Sequence, residues 1–293
     1  MDPSELLSRS DIASAQALAL RSPTLVIIEA PGLLAEAQAE ALALSLIPTK
    51  AARNADVRVL SPAGAQWTLE EIDQQITVPA SLTPLVRNVL IILGADQMST
   101  RNAEHLLKAT EEPPAPTTFV FCVASARNVL ATLRGRAQDI LRPHLDKVRL
   151  AALLKEAGLS ANSAGLAVEL LGDQSALLRD LASSSPEGRS LATNFISAVS
   201  EPDTRRPAST AVALAALITD VVASVPGTFG EDPAPTRLRS RERALASAVL
   251  LAWQKPGTDF PERSRALALA REVLARNGPT ALALASALSP NTF

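Results

Sequence analysis

A chain of 293 residues is long enough for two or three compact units, and 47% apolar against 20% charged residues is the balance of an ordinary globular protein. A formal net charge of -2 speaks against strong independent binding to nucleic acid, which rests on phosphate neutralisation, and leaves room only for a local basic strip. The single cysteine, Cys122, excludes a disulfide framework and a cysteine-rich zinc site, and with no Tyr the core has to come from Leu, Ala, Val and Ile.

The N-terminal Met-Asp-Pro-Ser-Glu-Leu-Leu lacks the basic and apolar regions of a signal peptide, and the best membrane candidate, Pro207–Thr219, is too short to span before Asp220. A cytoplasmic protein is expected. Thr24–Glu29 is a β-branched run that reads as a buried strand, and Leu33–Leu46 follows as an Ala/Leu/Glu helix. Val57–Leu60 is a second strand, closed by Ser61-Pro62-Ala63-Gly64, and Leu69–Ile76 has helical spacing. Asn88–Leu93 is a third strand. A helix from about Ser99 to Glu112 starts on a capping hydroxyl and stops at Pro113-Pro114. Thr118–Ala124 is a fourth strand, with Cys122 inside it as a small core residue. Continuous apolar strands alternating with helices predict a parallel sheet covered on both faces.

Beyond about residue 144 the strand signal ends. Val148–Leu181 reads as short helices broken at Gly158 and Gly172, Ser183–Gly188 as a loop, and Glu201–Pro207 as a linker. Ala208–Leu288 is helical, with loops at Pro226–Pro235 and Lys255–Pro261. The expected architecture is α/β plus all-α: an α/β domain over 1–145, a small helical domain over 146–204 and a second helical domain over 205–293.

A strand running through a glycine turn into a helix is the layout of a phosphate-binding loop, where glycines wrap the phosphates, Lys meets their charge and Ser/Thr holds magnesium. Here the segment is Val-Ile-Ile-Glu-Ala-Pro-Gly-Leu-Leu-Ala-Glu. Aligned from the strand, Glu29 falls at the first glycine and Leu34 at the last, Ala35 takes the lysine position and Glu36 that of the hydroxyl, while Pro31 and Gly32 keep the turn. The acids that should close the third strand are Leu93 and Gly94, and Asp96 reads as a helix-entry residue. Bound nucleotide, metal and hydrolysis by this chain are therefore not expected. The two histidines, His105 and His144, are too isolated for a metal or nucleophile arrangement.

The stretch Asn88–Arg136 carries a resemblance. Asn-Val-Leu-Ile-Ile-Leu, then Leu106-Leu107-Lys108 with Glu111-Glu112-Pro113-Pro114, then Leu130, Thr132 and Arg136 resemble the DNA polymerase III clamp-loader subunits of the AAA+ superfamily, in particular delta-prime. The segment Asn54–Leu60 also resembles the second strand of that family, normally Asp-x-x-x-Leu. The resemblance implies a RecA-like parallel sheet, a helical lid and a C-terminal helical collar that holds an oligomeric ring. It also implies ATPase (gamma/tau-like) and delta-like partners, and a sliding clamp and primed DNA reached through the complex. The polar side chain expected on the sensor strand is replaced by Val123, and Ser175 stands where the lid should offer an arginine. Gly135 and Ala137 replace the Ser and Cys around the family's arginine finger, which leaves Arg136 as the finger candidate for a neighbour's ATP site. An ordinary surface arginine is the alternative, since Arg134 and Arg142 lie close in sequence. Arg101, Lys108 and Arg127 are the residues that the resemblance turns toward DNA, with solvated helix charges as their alternative. The functional expectation is a non-catalytic clamp-loader subunit, against an AAA+-derived adaptor in DNA repair or recombination.

Overall fold

The computed structural model describes residues 6–64, 66–113, 115–202, 206–224, 235–253, 261–275 and 278–288. The chain divides into two compact units, Met1–Asp146 and Lys147–Phe293.

In the first unit, helix α1 (Arg9–Ala19) starts on a reciprocal cap, in which Ser8 Oγ accepts the Asp11 N–H and Asp11 accepts the Ser8 N–H. Then come β1 (Leu25–Glu29), α2 (Gly32–Leu46), α3 (Lys50–Asp56) and β2 (Val57–Leu60). Leu69–Ile72 forms α4, which runs through a π-helical turn, Asp73–Thr77, into α5 (Val78–Ala80). Strand β3 (Asn88–Leu93) is followed by α6 (Thr100–His105), capped by Ser99, and α7 (Leu107–Glu111). Strand β4 (Thr117–Val123), α8 (Ala131–Arg136) and β5 (Asp139–Leu141) complete the unit.

All pairings are parallel, in the order β2-β3-β4-β1-β5. Alternation along the strands sends Leu25, Ile27, Leu90, Ile92, Phe119 and Phe121 into one core with Trp67, Ile72 and Ile76. On β4 the intervening Cys122 donates its thiol to the Ala35 carbonyl of α2, at 3.7 Å. Every residue from Leu33 to Ala43 is buried, so α2 has no solvent face and its charged members, Glu36 and Glu40, go inward with the rest. Trp67 fixes its indole by donating to the Leu93 carbonyl at 3.1 Å.

The expected strands over 88–93 and 57–60 coincide with β3 and β2. The expected 99–112 helix is two helices, because the chain tightens at Leu106. Strand β5 lacks a sequence signal. It has three residues and is placed by Gln138, whose side-chain oxygen receives the Thr24 and Leu25 N–H groups while its own N–H donates to the Leu25 carbonyl.

The second unit is helical: α9 (Lys147–Glu156), α10 (Ala161–Leu171), α11 (Ser175–Ser184), α12 (Pro186–Ser200), α13 (Pro207–Ala223), α14 (Pro235–Ala252), α15 (Pro261–Ala275) and α16 (Thr280–Leu288). Gly158 and Gly172 take positive φ, 94° and 59°, where the helices were expected to break. The loop expected over 183–188 is instead a one-residue joint. Ser185 caps α12 by accepting the Gly188 N–H at 2.9 Å, and Pro186 opens the helix with its φ already set. At Gly188 a side chain would meet the Leu181 carbonyl oxygen at 2.3 Å.

Helix α10 packs on α14 and α12 on α13, so the expected 204/205 division falls inside this unit. Of the expected linker Glu201–Pro207, residues 203–205 lie outside the described residues, as do the expected loops except for Pro235 and Pro261, which open helices. Within α14 Arg241 is buried, and burial lowers the pKa of Arg243.

Candidate functional site

In an open parallel sheet, ligands bind outside the carboxyl ends of the strands, where connections from neighbouring strands leave in opposite directions. Here β1 and β4 are neighbours; β1 connects onward to β2, on the far side of β4, and β4 connects to β5, on the far side of β1. The candidate site therefore lies where Glu29 ends β1 and Val123 ends β4.

Only Ala30 and Pro31 separate β1 from α2. The Ala30 N–H donates back to the Val123 carbonyl at 3.1 Å, which extends the sheet ladder into the turn. Pro31 is the N-cap residue and offers no side-chain acceptor. The helix begins at Gly32, so the positions aligned with the last glycine, lysine and hydroxyl of a phosphate loop, Leu34, Ala35 and Glu36, already lie inside α2 and are buried. The backbone between β1 and α2 is thus a two-residue turn rather than an open loop.

The carboxylates at the site bind the chain's own backbone. Glu29 Oε1 accepts the Ala126 N–H at 2.9 Å, and its Oε2 accepts from Arg142 Nε at 2.6 Å. The Ala126 N–H, with the Arg142 guanidinium and the charge of Arg127, holds the Glu29 carboxyl below the usual glutamate range against the opposing effect of burial. Asp96 Oδ2 accepts the N–H groups of Ala124 and Ser125 at 3.1 and 3.2 Å. Burial raises its pKa, and those two bonds offset only part of the rise. Three successive N–H groups, Ala124 to Ala126, thus converge on two carboxylates. From the other side Arg134 holds the same turn, donating to the carbonyls of Ala126 and Arg127 at 3.2 and 3.4 Å.

Asp96, read from the sequence as a helix-entry residue, sits in the short 3-10 turn after β3 and anchors the turn after β4 as well. Leu93 is partly buried as the last residue of β3, and Gly94 takes a left-handed φ of 64°. Val123 is buried, with no polar atom to present. Ser175, in the second unit, turns its hydroxyl onto the Gly172 carbonyl at 2.6 Å. The functional partners that sequence reasoning missed, Arg142 and the amides of Ala124 to Ala126, carry no local pattern, since the fold alone brings them to Glu29.

Arg136 is exposed at the end of α8. One arm donates to the Thr132 carbonyl at 3.1 Å, and the other is paired with Glu111 of α7. Arg101, Lys108 and Arg127 are all exposed. His105 Nε2 lies 2.6 Å from Asp73 Oδ1, an exposed pair between α6 and the π-helical turn. Among the described residues no group of His, Cys, Asp and Glu is arranged to hold a metal, and no helix is long and apolar enough to cross a membrane.

No curated protein matches the sequence. Among solved structures, a DNA polymerase III gamma subunit-related protein of Thermotoga maritima superposes with a TM-score of 0.54 at 18% identity, over 95% of this chain and 97% of that one. A RuvB variant of the same organism superposes at a TM-score of 0.46 and 17% identity, over 99% of this chain and 87% of that one. Residues 45–145 match the family described as DNA polymerase III, delta subunit. This span holds β2 to β5 with α3 to α8, including the turn that Glu29 and Asp96 clasp. The chain has the fold of the DNA polymerase III gamma subunit-related protein, and residues 45–145 of its first unit are similar to the delta-subunit family.

Proposed function

We propose that this chain is a delta-prime-like, non-hydrolysing subunit of a clamp loader, which assembles with ATPase and delta-like subunits and serves their nucleotide sites rather than one of its own. The observation that carries this reading is the two-residue joint between β1 and α2, with Leu34, Ala35 and Glu36 buried in the helix. Phosphate binding needs backbone N–H groups, a cation and a hydroxyl, and the positions matching the last two are Ala35 and Glu36. Arg136 supports the second half of the reading. It is exposed at a helix end, and its guanidinium keeps donors beyond those used by Thr132 and Glu111. An arginine placed on a neighbour's transferring phosphate is worth roughly 10³–10⁵ in rate.

The second unit takes the role of lid and collar in this reading, the lid over 146–204 and the collar over 205–293. Arg101, Lys108 and Arg127 form the exposed cationic set that would face DNA in the ring. The test is affinity purification of the full chain from its own cells, followed by reconstitution with the ATPase subunits recovered. ATPase subunits and a clamp should co-purify, and Arg136→Ala should leave assembly intact while lowering the ring's DNA-stimulated ATP turnover. Recovery of repair or recombination proteins alone would favour the adaptor reading. Unchanged turnover in the mutant ring would remove Arg136 from its role.

A further inference from the structure

The turn after β4 has the makings of an anion site. Three consecutive N–H groups in one turn form a concavity of positive partial charge, the arrangement that elsewhere receives phosphate or carboxylate oxygens. Here Ala124, Ser125 and Ala126 supply them, at 3.1, 3.2 and 2.9 Å from their acceptors. The chain's own side chains hold the turn in this shape. Ser125 Oγ accepts the Arg127 N–H at 3.3 Å, and Arg134 clamps the carbonyls behind the turn. Arg142 adds a full positive charge, its Nε 2.6 Å from Glu29 Oε2. The position is the sheet's switch point, where a parallel α/β fold takes its ligands.

We propose that Glu29 is a resident anion. Its carboxylate occupies an oxyanion site formed by Ala126 N–H and Arg142, and removing it opens that site to a small tetrahedral oxyanion of the phosphate class. The occupant in the native chain is covalently attached and never leaves. The turn after β4 and the exit of β5 are therefore held together at all times, whereas in a site filled by a diffusible ligand the same elements would loosen on release. Asp96 stays on the other two N–H groups and limits how tightly an added anion binds. This inference rests on the reading that the chain holds no nucleotide of its own.

The experiment follows the unfolding midpoint of the full chain by Trp67 fluorescence, in a Trp253→Phe background, against inorganic phosphate at constant ionic strength. Glu29→Ala should unfold at a lower temperature than the parent and recover in a saturable way as phosphate rises to tens of millimolar, with chloride giving no such recovery. Glu29→Gln should show no recovery, because its amide fills the same space. Glu29→Ala combined with Arg142→Ala should lose the response. If Glu29→Ala folds without responding, if it stays unfolded at every phosphate concentration, or if the parent responds equally, the resident-anion assignment is overturned. Saturable stabilisation of the parent by ATP would instead overturn the non-nucleotide reading, so the two failures are distinguishable.

Discussion

Asp56 offers a sharp test of how the first unit is held together. Its carboxylate is buried at the end of α3 and accepts three successive N–H groups, from Leu85 and Val86 at 2.9 and 2.7 Å and from Arg87 at 3.1 Å. These bonds fix the path of the chain just before β3, and Asn88 fixes it again by donating its side-chain amide to the Leu82 carbonyl at 2.8 Å. Asp56→Ala removes all three acceptor contacts at once. A bond to a charged group contributes about 1.5–3 kcal/mol, but Leu85 and Val86 are exposed, so water replaces part of the loss and about 2–4 kcal/mol remains. At about 2–4 °C per kcal/mol for domains of this size class, the midpoint should fall by roughly 5–15 °C. Asp56→Asn keeps one acceptor and should fall about half as far. The assay is thermal unfolding read by Trp67, with Trp253→Phe to silence the second unit. A midpoint for Asp56→Ala within about 1 °C of the parent would show that the three bonds are not what holds this segment.

Four further outcomes are expected. Glu29 is held below its ordinary value of 4.5, so its contribution is fully present above that pH and is lost as pH falls through the lowered folded value. Asp96 is raised above 3.8, so its contribution has the opposite sign and fades as pH rises from 3.8 through the raised value. Acid unfolding of Glu29→Gln should accordingly be flatter below about 4.5 than in the parent, and Asp96→Asn should flatten the decline above 3.8. Burial, with the charge of Glu40 second, pushes the Cys122 thiol far up, so it should resist alkylation at neutral pH until denaturant unfolds the first unit; rapid labelling of the native chain would contradict its placement. Gly188→Ala should lower stability by about 1–3 kcal/mol, because the new methyl group meets the backbone of α11 rather than a movable side chain; equal urea midpoints would refute that. Glu111→Gln breaks a half-exposed ion pair and should change stability by less than about 1 kcal/mol, while in a reconstituted ring it should alter partner turnover if Arg136 acts there.

The strands and the parallel sheet were readable because fully buried strands are written as unbroken apolar runs. Phe119 and Phe121 sit in such a run, and burying each contributes about 1.5–3 kcal/mol. The strand order was not readable, since no local pattern places β4 between β1 and β3. Strand β5 escaped because three residues are too few to show a period, and the Ser183–Gly188 joint because small polar residues serve a helix cap as well as a loop. At the site, spacing after β1 was enough to single out Glu29, Leu34, Ala35 and Glu36. What those residues do was not visible. Glu36 enters the interior because α2 is wrapped on all sides, and Glu29 finds Arg142 across a sequence separation that no spacing rule covers.

The joint between β1 and α2 also limits how far substitution alone could reshape this end of the sheet. A phosphate-wrapping loop needs a backbone free to curl around its ligand as well as the right side chains. Here the alignment from Glu29 to Glu36 needs no gap, but Ala30 continues the sheet ladder and Gly32 is already helical, so a wrapped loop would also require the first turn of α2 to unwind. Unwinding that turn would pull Leu33 and Leu34 out of the interior in which they are buried. The cost of reshaping this joint is therefore set by packing beneath the helix and not only by the side chains along it.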